Sequence, residues 1–379
     1  MAKAEVQGFV HDKFEGVRDQ FQTHLDTGAD IGASFCVTKD GETVVDLWGG
    51  YADVEKTRAW EKDTIVNVYS TTKTMTALMA LWLADRGELD FDAPVAKYWP
   101  EFAANGKADI KVSHLMSHSA GLSAWREPMT NEDLYDWEKA TSLLAAQTPL
   151  WEPGSVPGYH AITQGYLVGE VIRRIAGKTI GTLFREEIAE PLGADFHIGL
   201  PASEDARVAD LKPPADSSFG AGPDMTEVLK LTRGNPGVDV GDTRTRAWRG
   251  AEIPAAGGTG NARSVATIHT ILANGGVANG KRFMSEAGCR KALEEQIQGT
   301  DLILGIPVRY GLGFGLSGPM SPALNEHSMF WGGYGGSLAL IDMQSHTTMS
   351  YAMNLMQGTT TGDMRAITLA MLSWQALNA

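Results

Sequence analysis

Apolar side chains recur every three or four residues near the start of the chain, at Val6, Val10, Phe14, Val17, Phe21 and Leu25. This spacing predicts an amphipathic first helix that begins at residue 6 and stops near Gly28. From there the period drops to two. Ile31, Ala33, Phe35 and Val37 alternate with small residues up to Lys39-Asp40-Gly41, and a second apolar run from Val44 to Trp48 follows that turn signal, so the pair reads as a β-hairpin. The helical period returns after Ser70, over Thr71 to about Arg86, with Gly87 just past the end. Met75, Leu78, Met79, Leu81, Trp82 and Leu83 make this second helix apolar nearly all round, which predicts that it is buried.

Residues 88–235 carry few strand signals and read as short helices and loops, with helical stretches near Val112–His118, Glu132–Gln147, Ile162–Ala176 and Thr182–Ala189. Strand patterns come back at Tyr310–Leu316, Ser328–Trp331, Ser337–Ile341 and Thr347–Met353, followed by a closing amphipathic helix from about Asp363 to Leu377. The expected fold class is α/β in the α+β sense. An antiparallel sheet from both chain ends (residues 1–87 and 236–379) is flanked by the first and last helices, a mainly helical domain (88–235) is inserted, and a cleft runs between them. The Gly- and Pro-rich segments near 202–262 read as irregular walls.

With 379 residues, 43% of them hydrophobic, the chain has material for such a core. A formal net charge of −14 sets its surface against nucleic acid and anionic lipid, so neither is expected as a partner. The start lacks a basic segment followed by an unbroken apolar stretch, and the strongest apolar run, Ala77 to Ala84, is far shorter than the ~20 residues that cross a membrane. A soluble, cytoplasmic protein acting on a small molecule is expected. Two cysteines, Cys36 and Cys289, provide neither a disulfide framework nor a cysteine-rich zinc site.

The chemistry gathers at three places. Ser70-Thr71-Thr72-Lys73 is the chain's Ser-x-x-Lys, set where a loop becomes the buried helix. One helical turn puts the Lys73 amine within reach of the Ser70 hydroxyl, and the helix start favours an oxyanion nearby. A buried amine loses its proton more readily and serves as a base for a hydroxyl too weak to attack unaided. Tyr159 follows the loop Trp151-Glu152-Pro153-Gly154-Ser155-Val156-Pro157-Gly158. Its phenol relays a proton between serine, lysine and leaving group if cationic neighbours stabilise the phenolate. Trp331-Gly332-Gly333-Tyr334-Gly335-Gly336-Ser337 lies between two strand signals, where the glycines admit a ligand close to the backbone and a main-chain N–H can complete an oxyanion hole.

In this order the three elements resemble the serine β-lactamase and penicillin-binding-protein superfamily, and within it the family VIII carboxylesterases. Val112-Ser113-His114-Leu115-Met116-Ser117-His118-Ser119-Ala120-Gly121-Leu122, Tyr159-His160-Ala161-Ile162-Thr163, Glu190-Pro191-Leu192-Gly193 and Ala256-Gly257-Gly258 are similar in kind and order. The resemblance implies a β-lactamase-like fold and no cofactor. It implies Ser70 as nucleophile, Lys73 and Tyr159 as the proton-handling pair, and the backbone N–H groups of Ser70 and Tyr334 as oxyanion donors. Trp331, Gly332 and Gly333, with His160, would line the substrate. Two departures narrow the activity. Tyr159-His160-Ala161 stands where penicillin-recognising relatives have Tyr-x-Asn, and Trp331-Gly332-Gly333 where they have Lys-Thr-Gly. The cation for a β-lactam carboxylate and an amide donor are thus missing, which favours small uncharged carboxylic esters over β-lactams or peptides.

Other hydrolytic readings fit less well. His114 and His118 are four apart, but Leu115 stands where a zincin has glutamate, so they read as packing and hydrogen-bonding groups and no metal is expected. Gly257-Gly258-Thr259-Gly260-Asn261 lacks a phosphate-loop lysine, and no Gly-x-Ser-x-Gly elbow occurs. An acyltransferase or amidase using the same residues, or a silent ligand-binding relative, remains an alternative.

Overall fold

The computed structural model describes residues 4–215, 225–360 and 362–379. The Gly- and Pro-rich stretch near 202–262 therefore falls partly outside the described residues. Nine strands form one antiparallel sheet: β1 (Gln7–Val10), β2 (Gly32–Lys39), β3 (Glu42–Gly50), β4 (Ile297–Thr300), β5 (Pro307–Tyr310), β6 (Gly315–Leu316), β7 (Ser328–Gly332), β8 (Leu338–Asp342) and β9 (Thr347–Met353). Their order is β1-β3-β2-β9-β8-β7-β6-β5-β4. The junction of the two chain ends is β9 against β2, with Met349 opposite Val37 and Tyr351 opposite Phe35. Helices α1 (Glu15–Thr27) and α5 (Met364–Asn378) pack on each other over one face, and α4 (Ala262–Ala273) covers β2, β8 and β9 on the sheet.

The first element departs from its expected form. Residues 7–10 are a strand, and the helix starts only at Glu15. Val6 and Val10 are four apart, a spacing that fits one face of a helix and equally one face of a strand, because an offset of four comes back to the same side in both. The free edge of β3 decides the matter by pairing Gln7 with Trp48 and Val10 with Val45. Gly8, at φ +98°, meets it so closely that a Cβ would lie 1.9 Å from the Asp46 carbonyl oxygen. The predicted strand 310–316 is likewise two strands around a turn. Gly313 at φ +87° presses there against Ala77 of the buried helix, leaving no room for a Cβ. The edge strand β4 gave no clear alternation and was not expected.

The buried helix is α2 (Lys73–Asp85), in which each residue from Lys73 to Leu83 is inaccessible. A 3-10 turn, Tyr69–Thr72, leads into it. Short strands Val66–Asn67 and Phe196–His197 flank Thr259–Gly260 in a three-stranded sheet that ties this entry loop to two distant segments. The long helix of the 88–235 stretch is α3 (Thr163–Ala176), packed on α2. Among the described residues, no helix is long and apolar enough to cross a membrane.

Candidate active site

Ser70 sits in the 3-10 turn and does not cap α2 with its side chain. Its entry is locked on both sides. Tyr69 adopts φ +43°, a left-handed conformation that costs a bulky residue of the order of 1–3 kcal/mol. The Asn67 side chain compensates by accepting from the Tyr69 N–H at 3.1 Å, while it donates to the Ala256 carbonyl at 3.1 Å. Gly258 donates to Thr72 Oγ1 at 2.8 Å and accepts from the Val68 N–H at 2.9 Å. The Ala256-Gly257-Gly258 stretch is therefore the clamp on the Ser70 turn.

Lys73 is fully buried, with Nζ 3.2 Å from Ser70 Oγ, 2.6 Å from the Ala161 carbonyl oxygen and 3.0 Å from that of Ala255. Burial pushes its amine well below the ordinary lysine range. A neutral amine has two hydrogens and one lone pair. The two carbonyls take the hydrogens, which leaves the lone pair facing the Ser70 hydroxyl, the orientation a base requires.

Tyr159 Oη donates to Ser70 Oγ at 2.5 Å, and Lys73 Nζ lies 4.9 Å from the centre of its ring. The loop carrying it is pinned by three successive main-chain donors. The N–H of Gly158 goes to the His118 carbonyl (2.9 Å), that of Tyr159 to Asp301 Oδ1 (3.1 Å) and that of His160 to His118 Nδ1 (3.1 Å). The expected relay depends on cationic neighbours that stabilise the phenolate. Burial holds the phenol above its ordinary pKa, the negative Asp301 adds to this, and the nearby Lys73 is itself driven towards neutrality. Tyr159 is thus held as a proton donor.

Trp331, on β7, tilts against Tyr159 at 5.9 Å and stacks on His118 at 5.2 Å between ring centres. Gly333 comes so close to the nucleophile loop that a Cβ would lie 2.2 Å from the Val68 carbonyl oxygen and 2.3 Å from Ser337 Oγ. Ser337 Oγ donates to that same carbonyl at 2.8 Å and lies 2.9 Å from Thr71 Oγ1. The Gly332–Tyr334 turn therefore lies beside Ser70, and the Tyr334 ring meets Tyr69 edge-on at 5.6 Å. A cavity of about 360 Å³ adjoins, lined by Tyr159, Trp331 and Gly332 and by apolar residues including Leu304, Val308 and Phe330.

His160 is placed away from the substrate side. It is fully buried behind the loop, with Nε2 accepting from the Leu122 N–H at 3.0 Å and Nδ1 2.6 Å from the Gly158 carbonyl, and burial pushes its pKa down to about 3. The family resemblance put it on the substrate side, whereas both of its ring nitrogens are engaged with main-chain groups of Leu122 and Gly158. Asp301 was missed. This fully buried carboxylate accepts from the N–H groups of Tyr159, Ile303 (2.8 Å) and Leu304 (2.9 Å), and from the Tyr310 hydroxyl at 3.1 Å. A lone aspartate in a Thr-Asp-Leu context carries no sequence signal for that.

The family described as Beta-lactamase matches residues 17–371. This chain belongs to the beta-lactamase family. Within it, the esterase/beta-lactamase LipL of Mycobacterium tuberculosis is 36% identical over 341 residues, covering 85% of this chain and 77% of LipL. A family VIII carboxylesterase crystal structure superposes with a TM-score of 0.94 at 42% identity over 98% of this chain and 100% of the other. A penicillin-binding protein homologue from Caulobacter crescentus gives 0.93 at 35% identity, with the same coverage. The beta-lactamase-like fold and the family VIII likeness expected from the motifs both hold, and this family member is a serine ester hydrolase.

Proposed function

We propose that the chain is a carboxylesterase that cleaves small, short-acyl esters through an acyl-enzyme on Ser70. The arrangement of Lys73 carries this reading: Nζ contacts Ser70 Oγ and two main-chain carbonyls, so that the neutral amine, with its two hydrogens given to the carbonyls, would turn its lone pair to Ser70 Oγ. Lys73 takes the Ser70 proton as Oγ bonds to the ester carbonyl carbon, and the oxyanion rests on the N–H groups of Ser70 and Tyr334. As the tetrahedral adduct collapses, the bond to the alcohol oxygen breaks, Tyr159 gives that oxygen its proton, and Lys73 returns one to the phenol. A water molecule then repeats the sequence against the acyl-enzyme and frees the acid.

An ester fits better than a β-lactam. The cavity wall is mainly apolar, and its Arg309 is engaged by Glu295 at 2.5 Å and Glu326 at 2.7 Å. β-Lactam hydrolysis is accordingly expected to be weak. The test is labelling by an aryl phosphonate alongside turnover of short-chain aryl esters. Ser70 should be the labelled residue and Ser70→Ala should abolish both, whereas a folded Ser70→Ala protein with unchanged turnover overturns the proposal.

A further inference from the structure

The turn that carries Tyr334 is gripped from behind by a buried guanidinium. Arg365, on the first turn of α5, donates through Nη2 to the Gly335 carbonyl at 3.1 Å and to Asp363 Oδ2 at 2.5 Å. Through Nη1 it reaches Asp30 Oδ1 at 2.7 Å and the carbonyls of Ala29 (3.0 Å) and Leu355 (2.8 Å). Asp30 is fixed in turn by the Tyr351 hydroxyl at 2.6 Å, from the middle of β9. Asp363 presses directly on the turn, since a Cβ on Gly336, at φ +124°, would lie 2.1 Å from its Oδ2.

Burying an arginine with two carboxylates carries a desolvation cost that a packed apolar trio would avoid. What the charged cluster adds is direction, because a planar fork fixes where one main-chain carbonyl points. That carbonyl belongs to the residue after Tyr334. Main-chain bonds hold the rest of the turn, from the Gly333 N–H to the Ser337 carbonyl (2.9 Å), from the Gly336 N–H to that of Gly333 (3.1 Å) and from the Gly335 N–H to that of Thr359 (2.9 Å), and the Gln357 N–H shares the Gly335 carbonyl with Arg365 at 3.0 Å.

We infer that Arg365 is a positioning residue for the reaction. By tethering the Gly335 carbonyl, alongside the Gln357 N–H, to Asp30 and Asp363 it sets the turn that presents the Tyr334 N–H to the oxyanion. The inference rests on the acyl-enzyme reading above.

Arg365→Lys tests it, because an ammonium keeps the charge beside the two carboxylates and cannot also span to Gly335. In the folded variant kcat should fall roughly 10- to 100-fold with KM changed less than about 2-fold, somewhat less than the loss of a whole oxyanion donor. Affinity for an alkyl boronate, which becomes tetrahedral on Ser70, should fall by the same factor. A folded Arg365→Lys with kcat and boronate affinity within about 2-fold of wild type overturns the inference, even if its Tm is lower. Should that variant fail to fold, Asp363→Asn keeps the helix cap and weakens the grip on Arg365. A parallel loss of kcat and boronate affinity supports the role, and no loss overturns it. Wild type that resists phosphonate at Ser70 overturns the acyl-enzyme reading and this inference with it, whereas a labelled wild type with an unimpaired Arg365→Lys overturns the positioning role alone.

Discussion

Lys73 and Lys107 are both fully shielded from solvent, both donate to two main-chain carbonyls, and both lie against an aromatic ring. For Lys107 the carbonyls are those of Ala104 and Gln147 and the ring is Phe102. Burial lowers both amines, Lys107 to about 8 and Lys73 well below the ordinary lysine range. The difference is the third neighbour. A serine hydroxyl stands 3.2 Å from Lys73 Nζ, whereas among the described residues no side-chain hydroxyl bonds Lys107. Burial and carbonyl contacts are therefore ordinary means of housing a lysine, and chemistry begins where a nucleophile occupies the remaining direction.

The contrast breaks most sharply under exchange of the two lysines for methionine. Lys73→Met should lower kcat/KM of a short-chain ester roughly 10³- to 10⁴-fold, and steady-state kinetics on the folded variant checks it. In the wild type, activity should rise with pH through the lowered Lys73 pKa, well under 10.5, and then stay level, because the phenol of Tyr159 holds its proton beyond the usual tyrosine range. An alkaline fall in the pH–rate profile below pH 10 would contradict that picture. Tyr159→Phe retains the ring beside Trp331 and loses the relay, for an expected loss of roughly 10²-fold in kcat. The effect should shrink for esters whose alcohol is acidic, since such a leaving group needs less help, and a series of aryl and alkyl esters measures this.

Lys107→Met gives the smallest effect on activity, with kcat within about 2-fold and stability lower by about 1–3 kcal/mol because two carbonyls lose their donor. Its pH signature has a definite sign. Between about pH 8 and the unfolded value near 10.5 the unfolded chain holds the proton that the folded one has released, so stability rises with pH across that window. The slope is at most about 1.4 kcal/mol per unit, and the difference between wild-type and Lys107→Met denaturation curves isolates it.

Ser70 and Lys73 were legible because residues three apart across a helical turn are neighbours in sequence and in space. The split sheet was legible from where period-two patterns begin and end. Asp301 was closed to such reading, since the N–H it holds belongs to Tyr159, 142 residues away. The same is true of the Ala255 carbonyl on Lys73, 182 residues away, which no side-chain pattern announces. The error at residues 7–10 has a different origin, a spacing common to both periods, settled by an edge that only the folded sheet offers.

The pairing of β9 with β2 also bears on how the protein comes into being at the ribosome. The opening hairpin emerges early and must wait for some three hundred more residues before its partner strand is made, with one edge uncovered meanwhile. A stalled or prematurely terminated product that lacks β9 is left with an unpaired strand that invites self-association.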